Sequence, residues 1–142
     1  MKSKKVILDT SAILTYFEGE EGKETVEKLL ISSSSQEIEL SIPFSAATEF
    51  YYINFNSQGE ETANQRFAML MSLPIEILKS IDEPYMIQAG RLKASYPISF
   101  ADALIAAYVY LENASLVHKD PEYLALEKEI DLITLPLKKK LV

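Results

Sequence analysis

The spacing of apolar positions along this chain changes repeatedly, and the changes predict strands alternating with helices. Val6, Ile7 and Leu8 form a short apolar run that stops at Asp9, as a fully buried strand would. An apolar helical segment over 11–17 follows, and Gly19 and Gly22 punctuate the turn after it. Over 23–31, Val26, Leu29 and Leu30 share one face while Glu24, Glu27 and Lys28 occupy the other, the pattern of an amphipathic helix. The serines at 32–35 read as a loop.

Ile38, Leu40 and Ile42 then alternate with Glu39 and Ser41, which predicts a half-exposed strand. Pro43 opens a helix reaching Phe55, Gly59 stops it, and a further helix covers 60–73. A strand over 75–78 precedes a helix over 83–94, capped by Asp82 with Pro84 in its first turn and ended by Pro97. Ser99 caps a helix over 100–111; a strand over 115–117, a helix over 121–129 and a strand over 132–135 follow, before a basic tail of Lys138, Lys139 and Lys140. This order predicts a single α/β domain over 1–142: a three-layer sandwich with a mostly parallel central sheet flanked by helices. Such sheets bind ligands beyond the carboxyl ends of their strands. Asp9 ends the first predicted strand, and Asp120 lies just past the strand over 115–117.

Composition narrows the chemistry. With 142 residues, 48% apolar and 25% charged, the chain is long enough to bury a core without covalent help. It has no cysteine and one histidine, His118, which excludes disulfides, thiolate sites and multi-histidine zinc centres and makes the cytoplasm the expected address. Lys2, Lys4 and Lys5 before Val6–Leu8 look superficially like a secretion signal, but Asp9 breaks the apolar run after three residues. Residues 40–59 carry a single charge, yet Pro43, Glu49, Asn54 and Asn56 make them unfit to span a bilayer. A net charge of −7 argues against a broad phosphate-gripping surface, unless many of the acids serve a metal and so reverse the local sign.

The position of the acids favours a metal. Asp9 is the only charge between Val6 and Phe17, Glu49 the only one between Leu40 and Gly59, and Asp102 the only one between Ile98 and Leu111. Segments this apolar are mostly buried, and an unpaired buried carboxylate is costly. Each acid has a simpler explanation: Asp9 caps the next helix, Glu49 projects from a polar edge with Ser45 and Thr48, and Ser99 with Asp102 forms a near capping box. Three such acids together point instead to a shared cation. Oxygen-only ligands suit Mg²⁺ or Mn²⁺, which lower the pKa of an attacking water and offset charge on the leaving oxygen in phosphodiester hydrolysis.

At these residues the chain resembles the PIN domains, in particular the toxins of VapBC-type toxin–antitoxin pairs, along essentially its whole length. Val6-Ile7-Leu8-Asp9-Thr10-Ser11 resembles the opening strand of that family, with a metal-binding acid at Asp9 and a supporting hydroxyl at Ser11. Glu49 matches the acid on the helix after the second strand, and Ser99 to Ala107 resembles the most recognisable motif, with its acid at Asp102. Leu116 to Tyr123 resembles the closing motif, with the fourth acid at Asp120 and Glu122 as an alternative. That motif departs from the family at His118, where a small hydroxyl residue, usually Thr, is expected; His118 reads as a structural replacement rather than a base.

The resemblance implies an endoribonuclease dependent on Mg²⁺ or Mn²⁺, held by Asp9, Glu49, Asp102 and Asp120, with Ser11 orienting a carboxylate or the attacking water. It also implies an RNA substrate, a cognate antitoxin and a homodimer. Tyr51, Tyr52 and Phe55 are stacking candidates for RNA bases beside Glu49, with core packing the competing use. A PIN-like fold without turnover, acting as a binding module, is the alternative, favoured by the acidic composition and His118. Dehalogenase-type phosphatases and receiver domains fit less well: the first need an acid where Ser11 stands, the second paired acids where Thr10 and Ser11 stand.

Overall fold

A computed structural model describes residues 4–137, so the basic tail at Lys138–Lys140 lies outside the described residues. The elements are β1 (Lys4–Leu8), α1 (Thr10–Glu18), α2 (Lys23–Ser34), β2 (Ile38–Pro43), α3 (Phe44–Gln58), α4 (Glu60–Ser72), β3 (Glu76–Leu78), α5 (Glu83–Ser95), α6 (Phe100–Glu112), β4 (Ser115–His118), a 3₁₀ turn (Pro121–Leu126) and β5 (Asp131–Thr134).

The strands form one sheet in the order β3-β2-β1-β4-β5, and every pairing is parallel. The expected α/β sandwich is therefore present, with helices flanking a wholly parallel sheet. Parallel pairing requires crossovers, and crossovers place helices over the sheet faces, so the central strands are apolar where they are covered: Val6, Ile7 and Leu8 in β1 and Leu116 and Val117 in β4 are all buried. The chain builds outward from β1 through β2 to β3, then returns to the other side of β1 for β4 and β5. In open parallel sheets, ligands bind beyond the carboxyl ends of the strands at such a reversal, here at β1 and β4.

Three expectations are corrected. β2 is not half-exposed: Leu40, Ser41 and Ile42 are all buried, because it lies inside the sheet between β1 and β3. Ser32–Ser34 are not loop but the last turn of α2, anchored by buried Val26 and Leu30 and ended at Ser35, whose N–H donates to the Ile31 carbonyl. Residues 121–129 do not form a full helix. The 3₁₀ turn stops at Leu126, and the chain turns through Glu129 and Ile130, both donating to the Leu126 carbonyl, to enter β5 beside β4.

Candidate functional site

Asp9 begins where β1 ends. Its backbone N–H completes the pairing with β4 by donating to the Val117 carbonyl at 3.1 Å. Its Oδ1 caps α1 by accepting from the Ala12 N–H at 2.8 Å, so the simple capping explanation holds. Capping does not account for everything around it. The Ser11 hydroxyl lies 2.7 and 2.8 Å from the two Asp9 oxygens and accepts from the Lys119 N–H at 2.9 Å. One serine thereby ties the loop after β4 to the carboxylate after β1. Asp9 is buried, and burial first, then the charges of Asp120 and Glu49, push its pKa up to about 7 against the lowering effect of its hydrogen bonds.

Glu49 lies one turn beyond Ser45 on α3 and is half-buried. Its Oε1 accepts from the Thr10 hydroxyl at 2.8 Å. Thr10 and Ser11, neighbours at the start of α1, thus hold different acids, Glu49 and Asp9 respectively.

Asp102 sits in the first turn of α6, where Ser99 caps the helix by accepting from the Asp102 N–H at 3.1 Å. Its Oδ1 accepts from the Tyr123 hydroxyl at 3.0 Å, while its buried Oδ2 has no hydrogen-bond partner. Oxygens of Asp102, Asp120 and Glu122 all lie within 4.8 Å of one another. Burial, then the carboxyls of Glu122 and Asp120, hold the Asp102 pKa well above the usual carboxylate range. Contact with Asp102 lowers that of Glu122. Asp120 and Glu122 are placed by the 3₁₀ turn, where Asp120 Oδ1 caps the turn by accepting from the Glu122 N–H at 2.9 Å.

The expected acids therefore gather at the carboxyl end of the sheet, but unevenly. Asp102 and Asp120 join Glu122 in the tight group; Asp9 and Glu49 stand outside it and adjoin it through their charges. Among the described residues no ion pair includes any of the five acids. Sequence reasoning missed Tyr123, a fully buried side chain whose pKa is raised by burial and then by Asp9 and Asp102. It also missed Thr10, although its position next to Asp9 was a usable signal. Of the aromatic candidates, Tyr51 is engaged by Asn64, to which its hydroxyl donates at 2.6 Å, and by Phe67, whereas Tyr52 and Phe55 are exposed.

The residues suit a hard divalent cation. The donors are all oxygens, one buried carboxylate oxygen is orphaned, and no cationic side chain fills the gap between three carboxyls. A cleft of about 1220 Å³ lies elsewhere: Lys5, Glu112, Ser115 and Asp131 line it at the amino end of the sheet.

Comparison with known proteins agrees on the fold. A chain of VapBC2 from Rickettsia felis, solved bound to a DNA fragment from their promoter, superposes with a TM-score of 0.73 at 18% identity over 93% of this chain and 99% of that one. A chain of DNA-bound VapBC from Salmonella typhimurium gives 0.73 at 20% identity over 92% and 98%. VapC20 of Mycobacterium tuberculosis, described as a sarcin–ricin loop cleaving toxin, gives 0.65 at 15% identity over 84% and 93%. No curated protein matches the sequence significantly. The family model for the PIN domain matches residues 6–129, and the chain belongs to the PIN domain family.

Proposed function

We propose that this protein is an endoribonuclease dependent on Mg²⁺ or Mn²⁺ and the toxin of a toxin–antitoxin pair. The observation that carries this reading is the orphaned, buried Oδ2 of Asp102 beside the carboxyls of Asp120 and Glu122. An oxygen so placed is costly unless a proton or cation meets it. Asp102, Asp120 and Glu122 would hold the cation, and Asp9 and Glu49 would add negative charge beside it. A bound divalent ion supplies Lewis acidity, making water a better nucleophile and offsetting charge on the phosphate.

The chain's own groups supply the geometry. Ser11 fixes both Asp9 oxygens, Thr10 fixes Glu49 and Tyr123 fixes one oxygen of Asp102. In hydrolysis the water oxygen would bond to phosphorus as the bond to the leaving ribose oxygen breaks, with the water giving a proton to a carboxylate and the leaving oxygen taking one from solvent. Asp9, buried and held by Ser11 beside the acid group, is placed to exchange such a proton. Tyr52 and Phe55, exposed on the helix that carries Glu49, offer stacking surfaces for unpaired bases.

An antitoxin belongs to the same reading. A chain of each VapBC assembly shares this fold, and an acid group that no ion pair of the described residues neutralises would accommodate an arginine from a partner, which would compete with metal. Independent binding of antitoxin and Mn²⁺ in calorimetry would refute the arginine mechanism. A homodimer is part of the proposal, and exposed Met86 and Ile87 on α5 provide apolar surface for one. Cytoplasmic location follows from the same role; among the described residues no helix is long and apolar enough to cross a membrane. The deciding experiment is cleavage of total RNA with Mn²⁺, with chelator and by the Asp102→Asn protein. Cleavage only by wild type with metal supports the proposal, while RNA binding without cleavage would favour the non-catalytic module.

A further inference from the structure

The one histidine of the chain is placed where it contacts both sides of the tight acid group. His118 ends β4 and no part of it reaches solvent. Its Nδ1 accepts from the Asp120 N–H at 3.1 Å, so that nitrogen carries no proton. The ring hydrogen is then on Nε2, which lies 2.9 Å from the Thr134 hydroxyl oxygen on β5 and donates to it. Burial lowers the pKa of the imidazole, in keeping with a neutral ring. The ring also meets Tyr123 edge to face, with centroids 5.1 Å apart, and Tyr123 in turn donates to Asp102 Oδ1.

One imidazole therefore reaches two acids by separate routes. It grips the backbone of Asp120 directly, and it braces the tyrosine that orients Asp102. Both routes end on β5 through Thr134, because that hydrogen bond fixes the plane of the ring. We propose that His118 is a positioning residue that sets the separation of Asp102 and Asp120 for a divalent cation. It touches neither substrate nor the reacting atoms. The inference rests on the metal-site reading above.

The rival explanation is that the imidazole simply fills the core, and the two amide substitutions separate them. His118→Asn keeps an acceptor where Nδ1 stood but cannot reach Thr134. His118→Gln keeps the reach to Thr134 but offers no acceptor in the place of Nδ1. Mn²⁺ binding to the full-length proteins is measured by calorimetry, with thermal melting alongside. His118→Asn should bind within about threefold of wild type and His118→Gln roughly tenfold or more weakly, although both melt lower. Thr134→Val, which leaves the imidazole in place, should weaken binding by about threefold and guards against poor folding of the other two. Equal Mn²⁺ affinities for the Asn and Gln proteins, or an unchanged Thr134→Val protein, would overturn the inference while leaving the metal site intact. No Mn²⁺ binding by wild type would overturn both.

Discussion

The two ends of the sheet carry the same kinds of residue in opposite states. At the amino end, acids have partners: Lys5 meets Glu112 at 2.9 Å, Arg91 meets Glu129 at 2.8 Å, and Asp131 accepts from Ser115. At the carboxyl end, Asp9, Glu49, Asp102 and Asp120 are held by hydroxyls and backbone N–H groups, and among the described residues no ion pair includes them or Glu122, which feels Lys93 only through its charge. The amino end has an opening of about 1220 Å³ lined by acids and lysines together, and the carboxyl end has a close-set group of carboxyls. A cleft that mixes acids with lysines balances much of its charge within itself, whereas a group of carboxyls, one of them buried, calls for a cation from outside.

The comparison breaks most sharply at Asp102. Replacing it with Asn should reduce RNA cleavage by roughly 10²–10³-fold or more, with Asp9→Asn similar and Asp120→Asn leaving some activity, because Glu122 stands beside Asp120. Single-turnover cleavage at saturating Mn²⁺ measures this, and full activity of Asp102→Asn would remove the site. Tyr123→Phe should follow, weakening Mn²⁺ binding by about tenfold through the loss of the hydroxyl that orients Asp102 Oδ1. Calorimetry reads the change directly, and an unaltered affinity would make Tyr123 a packing residue only.

A smaller effect, in stability, has a definite sign. The Asp9 pKa is raised in the folded protein from 3.8 to about 7, so the folded state binds more protons than the unfolded chain across that interval. The corresponding stability is fully present below pH 3.8 and is lost as the pH rises through about 7. Asp9→Asn removes the ionisation and keeps most of the cap to Ala12, so without metal it should be more stable than wild type at neutral pH by about 0.5–2 kcal/mol. Excess Mn²⁺ should reverse the order by binding the native wild-type site. Melting curves in chelator and in Mn²⁺ test both halves, and a wild type more stable in chelator would return these acids to a structural role. The smallest effect belongs to the amino end. Lys5→Ala, which breaks an exposed pair with Glu112, should cost about 0.5 kcal/mol or less and leave cleavage unchanged. A large loss of activity there would erase the distinction between the two ends.

Much of this arrangement was legible because the chain is apolar where it matters. Asp9, Glu49 and Asp102 stood out against Val6–Phe17, Leu40–Gly59 and Ile98–Leu111, and all three reached the carboxyl end of the sheet. The cause of the raised pKa values was only partly legible. Crowding of like charges is visible in the acid pattern, but burial is the larger cause at both Asp9 and Asp102, and burial depends on the folded neighbours. Glu122 and Tyr123 were harder to place, because a six-residue 3₁₀ turn has too little periodicity to tell which side chains face inward. The misread alternation in β2 has a similar origin. Ile38, Leu40 and Ile42 looked like one covered face, yet an interior strand of a parallel sheet is covered on both.

The order β3-β2-β1-β4-β5 also bears on when the acid group can exist during synthesis. Asp9 emerges more than a hundred residues before its Lys119 tether through Ser11 and its neighbours Asp120 and Tyr123. β4 must insert beside β1 before that tether forms, and β5 must be in place before Thr134 can hold His118. A nascent chain halted before that point carries Asp9, Glu49 and even Asp102 without the group that completes them. The acid group would stay incomplete, and any chemistry it performs would be withheld, until the segment through Thr134 had left the tunnel.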